Sequence, residues 1–420
     1  MKYNESSANA HWQTLKLREL GDFSRGLSKH RPRNDVALFS GGGYPLIQTG
    51  EIREANLYVT SHHVEYGEFG LRQSKLWDAD TLCITIAANI AETAILSYPM
   101  CFPDSVVGFT ANKKLTSELF VYYVFEYIRM AIKNAASGSA QDNINIEYLT
   151  SLEFKVPNKA VQDSIVGVLA SLDRMILLNN QVNDILQAML QTLYGYWFLQ
   201  FDFPDENGRP YRSSGGRMVW NDQLKREIPA GWRAVTLREL LKKNRKAFDY
   251  GTVEPTIDLS VMPTGSIALN NLSRSDAFSS NLYQMSEGDI LFGAIRPYLK
   301  KAGIAPCNGV VAGTVHSFSP VRVDDYNFAL ATITSEQMFS HAVRSSTGTR
   351  MPTVKADDLL DVVVAYSESV ATAFNQIPVA RSIIERVQES SRLGELRNWL
   401  LPMLMNGQAT VANSDELSFT

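Results

Sequence analysis

The sequence is poor in cysteine. Its three cysteines, Cys83, Cys101 and Cys307, form no CxxC pair and have no histidine cluster near them. Disulfides and structural zinc are therefore not expected. The sequence also has no run of eighteen apolar residues and no apolar signal-peptide core near its first residue. We expect a cytoplasmic protein without membrane association.

Motifs that carry catalysis are missing as well. Without a Pro-Pro pair, there is no Asn/Asp-Pro-Pro-aromatic loop of the kind that binds a flipped adenine in amino-methyltransferases. Without a Gly-Lys dipeptide, there is no GxxxxGKS/T loop for a nucleoside triphosphate. The six histidines are scattered apart from His62-His63, and no carboxylates cluster with a lysine as a nuclease requires. We expect no catalysis, metal site or cofactor in this chain.

The composition is that of a folded protein with more than one domain. Apolar residues make up 45% and charged residues 20% of the 420 positions, and the formal net charge is -4. A chain of this length exceeds one compact core and predicts two or three domains. The acidic balance does not favour nucleic-acid binding, so such a function depends on where the basic residues lie.

The strongest local pattern is a long helix. Residues 159–198 contain no proline, and their apolar residues fall on a heptad grid, which predicts a helix with a packed seam. Asn179 and Asn183 occupy its central seam positions, where polar residues fix register or partner. A second, less regular helix is expected from about Ala371 to Met405. We predict that the two form an antiparallel coiled coil with a core of Ile165, Leu169, Leu172, Ile176, Asn179, Asn183, Leu186, Leu190, Leu193, Ile384, Val387, Leu396 and Leu400.

The two halves of the chain repeat each other. WQTLKLREL at Trp12–Leu20 recurs as WRAVTLREL at Trp232–Leu240, with an offset of 220 and five of nine residues identical. In the same order, YPLIQTGEI aligns with PTIDLSVM, DADTLCITIA with EGDILFGAIR, DSVVGF with NGVVAG, and SGSAQDNINIEYL with STGTRMPTVKADDL. Five ordered pairs indicate a duplication.

Short β-rich runs beside a helix predicted from Ser117 to Ile132 indicate an α+β class for each half. The predicted organisation is two similar globular bodies separated by two long helices. The bodies are expected at 11–157 and 232–367, the helices at 158–199 and 368–407, and an extended connector at 200–231.

The connector FDFPDENGRPYRSSGGRMVWN, followed by IPAGW, resembles the central linker of the specificity subunit of type I restriction-modification systems. GSAQDNIN at Gly138–Asn145, leading into VQDSIVGVLASLDRMI, is similar to that family's exit from a target-recognition domain. The resemblance covers residues 11 to 407.

This resemblance implies a non-catalytic DNA sequence-specificity subunit. Each body would be a target-recognition domain that reads one half of a bipartite double-stranded DNA target, and the paired helices would set the spacer. Two methyltransferase subunits would dock on the assembly, and two restriction subunits can join it. S-adenosylmethionine, Mg and ATP are expected on these partners. The alternative is a coiled-coil scaffold that organises other subunits without touching DNA.

The basic residues agree with DNA binding. In the first half RGLSKHRPR supplies Arg25, Lys29, Arg31 and Arg33, with no acid between Asp22 and Asp35, and in the second half KKNRK supplies Lys242, Lys243, Arg245 and Lys246. Equivalent runs in two otherwise diverged halves favour phosphate contacts. Candidates for base reading or further phosphate contacts are Arg296, Lys300, Lys301 and Arg350, together with the amides of Gln48, Gln141 and Asn143. Ordinary surface and turn chemistry is the competing explanation for each of them.

Overall fold

The computed structural model describes residues 12–86, 92–135, 153–249, 251–278 and 281–411. The chain divides into two compact units, one formed by Met1–Leu177 with Leu393–Thr420 and the other by Leu178–Arg392. We call these unit 1 and unit 2. Each combines sheets with helices, so the predicted α+β class is confirmed.

Unit 1 contains a five-stranded sheet, a four-stranded sheet and a separate strand pair. Its strands are β1 (Gln13–Lys16), β2 (Gly21–Arg25), β3 (Tyr44–Leu46), β4 (Tyr58–Val59), β5 (Val64–Tyr66), β6 (Leu76–Trp77), β7 (Leu82–Thr85), β8 (Thr93–Leu96), β9 (Met100–Cys101), β10 (Val106–Ala111) and β11 (Glu153–Val156). The larger sheet has the order β2-β10-β7-β8-β4, the smaller has the order β5-β3-β9-β6, and β1 pairs with β11. All pairs are antiparallel except β3 with β9 and β4 with β8.

The larger sheet of unit 1 is covered on both faces. Leu82 and Ile84 of β7 pack into one buried cluster, whereas Cys83 between them packs into another with Trp77. This alternation follows from the two-residue period of a strand and explains why β7 is a continuous apolar run. The helices of unit 1 are α1 (Leu17–Leu20), α2 (Thr49–Glu54), α3 (Glu68–Arg72) and α4 (Glu118–Ala135), with a 3-10 turn at Val36–Leu38. The predicted cap of α4 is present, because the backbone N–H of Phe120 donates to Ser117 Oγ at 3.2 Å.

The first long helix, α5 (Lys159–Tyr194), continues as a π-helical turn, Gly195–Leu199. The segment after it was predicted as an extended connector, and that prediction is wrong. It contains the hairpin β12 (Met218–Asn221) with β13 (Arg226–Pro229), and the Phe201 side chain is completely buried. The Phe203 ring stacks on Tyr211 and Trp232, with ring centroids 4.7 and 5.2 Å away. Aromatic packing gives this segment a small core despite its glycine and proline content.

Besides the β12-β13 hairpin, which also lies in unit 2, this unit contains two four-stranded sheets and a strand pair. Its strands are β14 (Arg233–Thr236), β15 (Leu241–Asn244), β16 (Pro255–Ile257), β17 (Ser273–Arg274), β18 (Leu282–Met285), β19 (Ile290–Gly293), β20 (Ala302–Ile304), β21 (Gly309–Ala312), β22 (Val315–Pro320) and β23 (Val363–Tyr366). The orders are β15-β22-β19-β20 and β17-β16-β21-β18, and β14 pairs with β23. β16 and β21 are parallel, as are β3 and β9 in unit 1.

The strand pairing supports the duplication and corrects one of its alignments. β15-β22-β19-β20 repeats β2-β10-β7-β8, and β17-β16-β21-β18 repeats β5-β3-β9-β6. DSVVGF forms part of β10, whose counterpart by pairing is β22, whereas NGVVAG forms part of β21, the counterpart of β9. The two motifs were paired because buried strands share the same apolar pattern, which does not identify their neighbours.

The helices of unit 2 include short ones beside the sheets and the start of the second long helix. They are α6 (Leu237–Leu240), α7 (Tyr326–Ile333), α8 (Glu336–Ser345), α9 (Ala356–Leu360), α10 (Glu368–Asn375) and α11 (Val379–Met405), with 3-10 turns at Ser275–Ala277, Pro297–Leu299 and Val323–Asp325. The second long helix was predicted to run unbroken from about residue 371. The structure divides it into α10 and α11, because Pro378 lacks an N–H and disfavours a helical conformation at Ile377.

In unit 1, α5 and the end of α11 pack antiparallel. Ile165 and Leu169 share a buried cluster with Leu401, Leu404 and Met405, and Leu400 packs against it. Leu172 and Ile176 are half-buried. Leu396 is 42% exposed, so its assignment to the core is wrong. The next residue, Arg397, turns toward α5 instead and pairs with Asp173.

In unit 2, the rest of α5 packs against the first part of α11. Leu190 shares a buried cluster with Val379, Ile383 and Val387, and partly buried Leu186, Leu193 and Ile384 pack against it. Asn179 Nδ2 donates to Glu389 Oε2 at 3.0 Å. Asn183 is only 2% exposed, and within the described residues neither its amide nitrogen nor its oxygen has a hydrogen-bond partner.

Candidate nucleic-acid interface

The two predicted basic runs begin on equivalent edge strands. β2 stands at the end of the five-stranded sheet of unit 1, and β15 stands at the end of the equivalent four-stranded sheet of unit 2. Arg25 is the last residue of β2, while Lys242 and Lys243 lie on β15. All three side chains are exposed. An edge strand leaves one side of its backbone to solvent, so the basic side chains project from a rigid sheet at an accessible border.

The run of unit 2 remains largely open. Lys242 and Lys246 are exposed, and within the described part of the chain no carboxylate lies within ion-pair distance of either. Lys243 Nζ is 3.8 Å from Asp357 Oδ2. The Arg245 guanidinium lies over the Tyr283 ring, 4.7 Å from its centroid, and donates to the Tyr283 hydroxyl at 3.0 Å. Stacking on tyrosine orients the arginine and leaves its positive charge unneutralised.

The run of unit 1 is partly neutralised, which the sequence did not predict. Arg33 Nη2 lies 2.7 Å from Asp104 Oδ1, and Arg31 Nη2 is 3.8 Å from the other oxygen of that carboxylate. Arg31 also donates to the backbone carbonyls of Ser28 and His30. Asp104 is distant in sequence, so the absence of acids inside the run gave no indication of it. Arg25 and Lys29 are exposed, and no carboxylate in the described ranges pairs with them.

The further candidates of unit 2 separate into two groups. Lys300 Nζ pairs with Glu336 Oε1 at 2.7 Å, and Lys301 Nζ donates to the Leu259 carbonyl at 2.5 Å. Both lysines therefore have contacts within the protein. Arg296 and Arg350 are exposed on loops. Among the described residues, neither guanidinium has an ion-pair partner.

The amide candidates belong to unit 1. Gln48 is exposed at the start of α2, where its backbone N–H donates to Glu51 Oε2 at 3.1 Å. Gln141 and Asn143 lie outside the described residues.

His316 connects the basic run of unit 2 to the loop that carries Arg350. It lies on β22, which pairs with β15, and its Nε2 is 2.9 Å from the Val354 carbonyl oxygen. Burial lowers the pKa of His316, and the positive charges of Lys243 and Arg245 lower it further. The Val354 hydrogen bond and Asp357 act in the opposite direction. The run and the loop therefore border the same part of unit 2.

Two exposed residues beside the arginines were not predicted as part of the site. Tyr298 is 54% and Met351 is 53% exposed, and each lies within two residues of Arg296 or Arg350. Each of them places an exposed large side chain next to an arginine without an ion-pair partner among the described residues. The motif RPYLKK could have indicated Tyr298, because it places an aromatic residue between cations.

Within the described ranges, no group of three or more His, Cys, Asp or Glu side chains could hold a metal ion. In the same part of the chain, no helix is long and apolar enough to cross a membrane. Burial raises the pKa of the Cys83 thiol, a property of a core residue.

Comparison with known proteins finds similarity to one group of proteins. The model of the type I restriction modification DNA specificity domain matches residues 9–188. The type I restriction enzyme MjaIX specificity subunit of Methanocaldococcus jannaschii is 22% identical over 95% of this chain and 94% of its own length. The chain is therefore similar to type I restriction-modification specificity subunits over nearly its whole length. The resemblance stated from the sequence is confirmed.

Two other specificity subunits are also similar to this chain. The type I restriction enzyme HindI specificity subunit of Haemophilus influenzae is 33% identical over 44% of this chain and 40% of its own length. The crystal structure of the type I system S subunit from M. genitalium has a TM-score of 0.53 at 16% identity and covers 96% of this chain and 98% of its own. This last likeness concerns the fold.

Proposed function

We propose that this specificity subunit reads a bipartite double-stranded DNA target, with one half-site for unit 1 and one for unit 2. The observation that carries the proposal is the equivalent position of two exposed basic runs, each beginning on the edge strand of a repeated sheet. Lysine and arginine at such positions neutralise phosphates and fix the protein on the duplex.

Different loops on a shared scaffold support two different half-sites. β7 and β19 are equivalent strands, as are β8 and β20. The segment after β7 reads IAANIAE, whereas the segment after β19 reads AIRPYLKK. A repeated sheet with divergent loops is the expected design for two sites with different specificities.

The long helices support the proposed spacer. α5 has 36 residues, which corresponds to about 54 Å at the rise of an α-helix. Half-sites on one face of a duplex lie about one helical turn, roughly 10 bp, apart. We therefore propose two short recognition sequences separated by a non-specific spacer of roughly 5 to 8 bp.

An exposed apolar face on α5 supports docking of the methyltransferase subunits. Leu178, Ile185, Met189 and Tyr196 follow a heptad spacing and are 37% to 66% exposed. Between Leu178 and Leu199, Asp184 is the one charged residue in the sequence. A solvated helix face normally carries charges, whereas a seam of this kind fits an apolar helix of a partner. We assign it to a helix of the methyltransferase subunit.

Catalysis and its small molecules are assigned to the partners. S-adenosylmethionine would bind the methyltransferase subunits, and ATP and Mg would bind restriction subunits. This division is proposed from the loop motifs that the sequence lacks.

The test is adenine-methylation mapping in cells. One strain carries this chain with its neighbouring methyltransferase gene, and a matched strain lacks only this chain. We expect a bipartite motif with a fixed spacer that disappears with the chain and returns when the chain is restored. An unchanged set of methylated motifs would contradict the proposal and favour a scaffold without DNA contact.

A further inference from the structure

We propose that unit 2 reads guanine in its half-site through two adjoining loops, with Arg296 and Arg350 as the base-reading side chains. The loops are the turn Arg296–Lys300 and the segment Ser346–Thr353, which we call the reading loops. The proposal rests on the proposed function and deepens it by assigning the specificity of one half-site to named residues.

The backbones of the two reading loops are joined. The N–H of Arg296 donates to the Pro352 carbonyl at 2.7 Å, and Ile295 forms a bridge with Thr353. Thr347 and Thr353 exchange backbone hydrogen bonds of 3.0 and 2.9 Å, which close the second loop on itself. The two arginines are therefore held on neighbouring stretches of ordered backbone.

The first reading loop is a rigid turn in an unusual conformation. Arg296 and Lys300 have φ angles of 52° and 49°, in the left-handed region. Residues other than glycine occupy this region at a conformational cost and are enriched at functional sites. The turn is held by the Leu299 N–H, which donates to the Arg296 carbonyl at 2.9 Å, and by the Lys300–Glu336 ion pair. Such a turn fixes the backbone that carries Arg296, so little backbone entropy is lost on binding.

The guanidinium charges of Arg296 and Arg350 have no ion-pair partner among the described residues. Exposed Arg238 and Arg274 and partly buried Arg322 of unit 2 each pair with an aspartate, whereas no carboxylate among the described residues pairs with Arg296 or Arg350. A guanidinium presents a planar fork of donors that matches O6 and N7 of guanine in the major groove. Exposed Tyr298 and Met351 add apolar surface beside the two forks.

The reading loops border the basic run of unit 2. Val354, the residue after the second loop, accepts the hydrogen bond from His316, whose pKa is lowered in part by Lys243 and Arg245. The backbone N–H of Val354 donates to the carbonyl of Ala294 at 2.9 Å, and Ala294 lies two residues before Arg296. The basic run of unit 2 would bind the phosphate backbone while the reading loops contact the base edges. In DNA recognition, phosphate contacts position the protein and base contacts give specificity.

The experiment uses the assembled complex of this chain with its methyltransferase and maps the methylated motif for Arg296→Ala, Arg350→Ala and Arg350→Gln. We expect the half-site of unit 1 and the spacer to persist, while each alanine variant relaxes a G·C position of the other half-site by about 10- to 100-fold. Arg350→Gln should shift its position toward adenine, because a glutamine amide matches adenine N6 and N7. Arg274→Ala is the matched control, since Arg274 is exposed in unit 2 but paired with Asp276, and it should leave the motif unchanged.

Other outcomes would overturn the proposal. Equal weakening on all sequences, with a salt dependence reduced by about one phosphate contact, would make the arginines phosphate contacts. Loss of the methyltransferase from the complex would place the loops in a subunit interface. If the unaltered chain directs no bipartite motif, the proposed function fails, and this inference fails with it.

Discussion

The two units bury different polar groups where they pack around the long helices. In unit 1, Asp173 is 6% exposed, accepts a hydrogen bond from the Tyr123 hydroxyl at 2.6 Å and pairs with Arg397. In unit 2, Asn183 is 2% exposed, and its amide has no hydrogen-bond partner among the described residues. One site is satisfied and the other is not, although both lie on α5.

This difference shows that a buried polar residue can either stabilise or destabilise the fold. A satisfied network is costly to break, because removal of one member leaves the others desolvated and unpaired. An unsatisfied amide already carries that cost, so its removal is favourable. Polar residues in a helix seam are retained when they fix register, even though they reduce stability. We therefore expect an apolar replacement of one buried polar residue to lower the free energy of unfolding in unit 1 and to raise it in unit 2.

The largest effect is expected for Arg397→Met in unit 1. The substitution leaves the Asp173 carboxylate buried without its cation, and we expect the free energy of unfolding of unit 1 to fall by about 3–5 kcal/mol. Urea titration followed by hydrogen exchange in peptides of α4 and α11 measures the loss where it occurs. Peptides from the sheets of unit 2 should be unaffected.

The matched control removes the whole network. Asp173→Leu, Arg397→Met and Tyr123→Phe together leave no buried charge or unpaired hydroxyl, so we expect a stability close to that of the unaltered chain. A triple variant as unstable as Arg397→Met alone would contradict the explanation from a single unpaired charge.

The second effect has the opposite sign. Asn183→Leu in unit 2 replaces an unpaired buried amide by an apolar side chain with the same branched shape, and we expect the free energy of unfolding to rise by about 1–3 kcal/mol. The same urea titration, followed in peptides of unit 2 from α5 and α11, measures the gain. Light scattering should show whether the variant pairs less specifically, as expected when a polar seam residue fixes register.

The control for this substitution is Asn179→Leu. The Asn179 amide is half-buried and donates to Glu389, so replacement loses one bond and gains little burial. We expect a change well below that of Asn183→Leu. Destabilisation by Asn183→Leu would mean that the amide has a partner in the assembled protein.

Local patterns predicted the elements that depend on neighbours in sequence. The heptad grid of residues 159–198 gave α5 closely, and the repeated tryptophan motif marked β1-α1-β2 and β14-α6-β15 at the same offset. Helix periodicity and a short strand-turn-helix motif are properties of a few adjacent residues. These local predictions are correct because the tertiary structure favours the same elements.

The errors depend on contacts between distant residues. Asp104 reaches Arg33 from 71 residues away, and no property of the basic run indicates it. DSVVGF and NGVVAG have the same apolar pattern, but the partners of their strands differ. Leu396 fits a regular heptad, yet the Asp173–Arg397 pair turns the neighbouring position inward. For the candidate site, the residue types were predictable, but which cations remain unpaired required the fold.

The smallest effect is a pH dependence that distinguishes the units. Burial lowers the folded-state pKa of His316 in unit 2, whereas β10, the counterpart of its strand in unit 1, contains no histidine. The unfolded chain binds a proton near pH 6.5, so the contribution of His316 to stability is complete above about that pH and decreases as the pH falls below it. The Val354 carbonyl partly offsets burial, which keeps the effect small.

His316→Gln isolates this contribution, because a glutamine amide can still donate to Val354 and does not titrate. We expect unit 2 of the unaltered chain to lose stability between about pH 7 and pH 5.5 more steeply than unit 2 of the variant. Hydrogen exchange in urea at several pH values measures both slopes, with unit 1 as the internal reference. Carboxylates also titrate at the lower pH values of this range. The contribution of His316 is therefore the difference between the slopes of the unaltered chain and the variant. Equal slopes would show that His316 keeps its ordinary pKa in the folded chain.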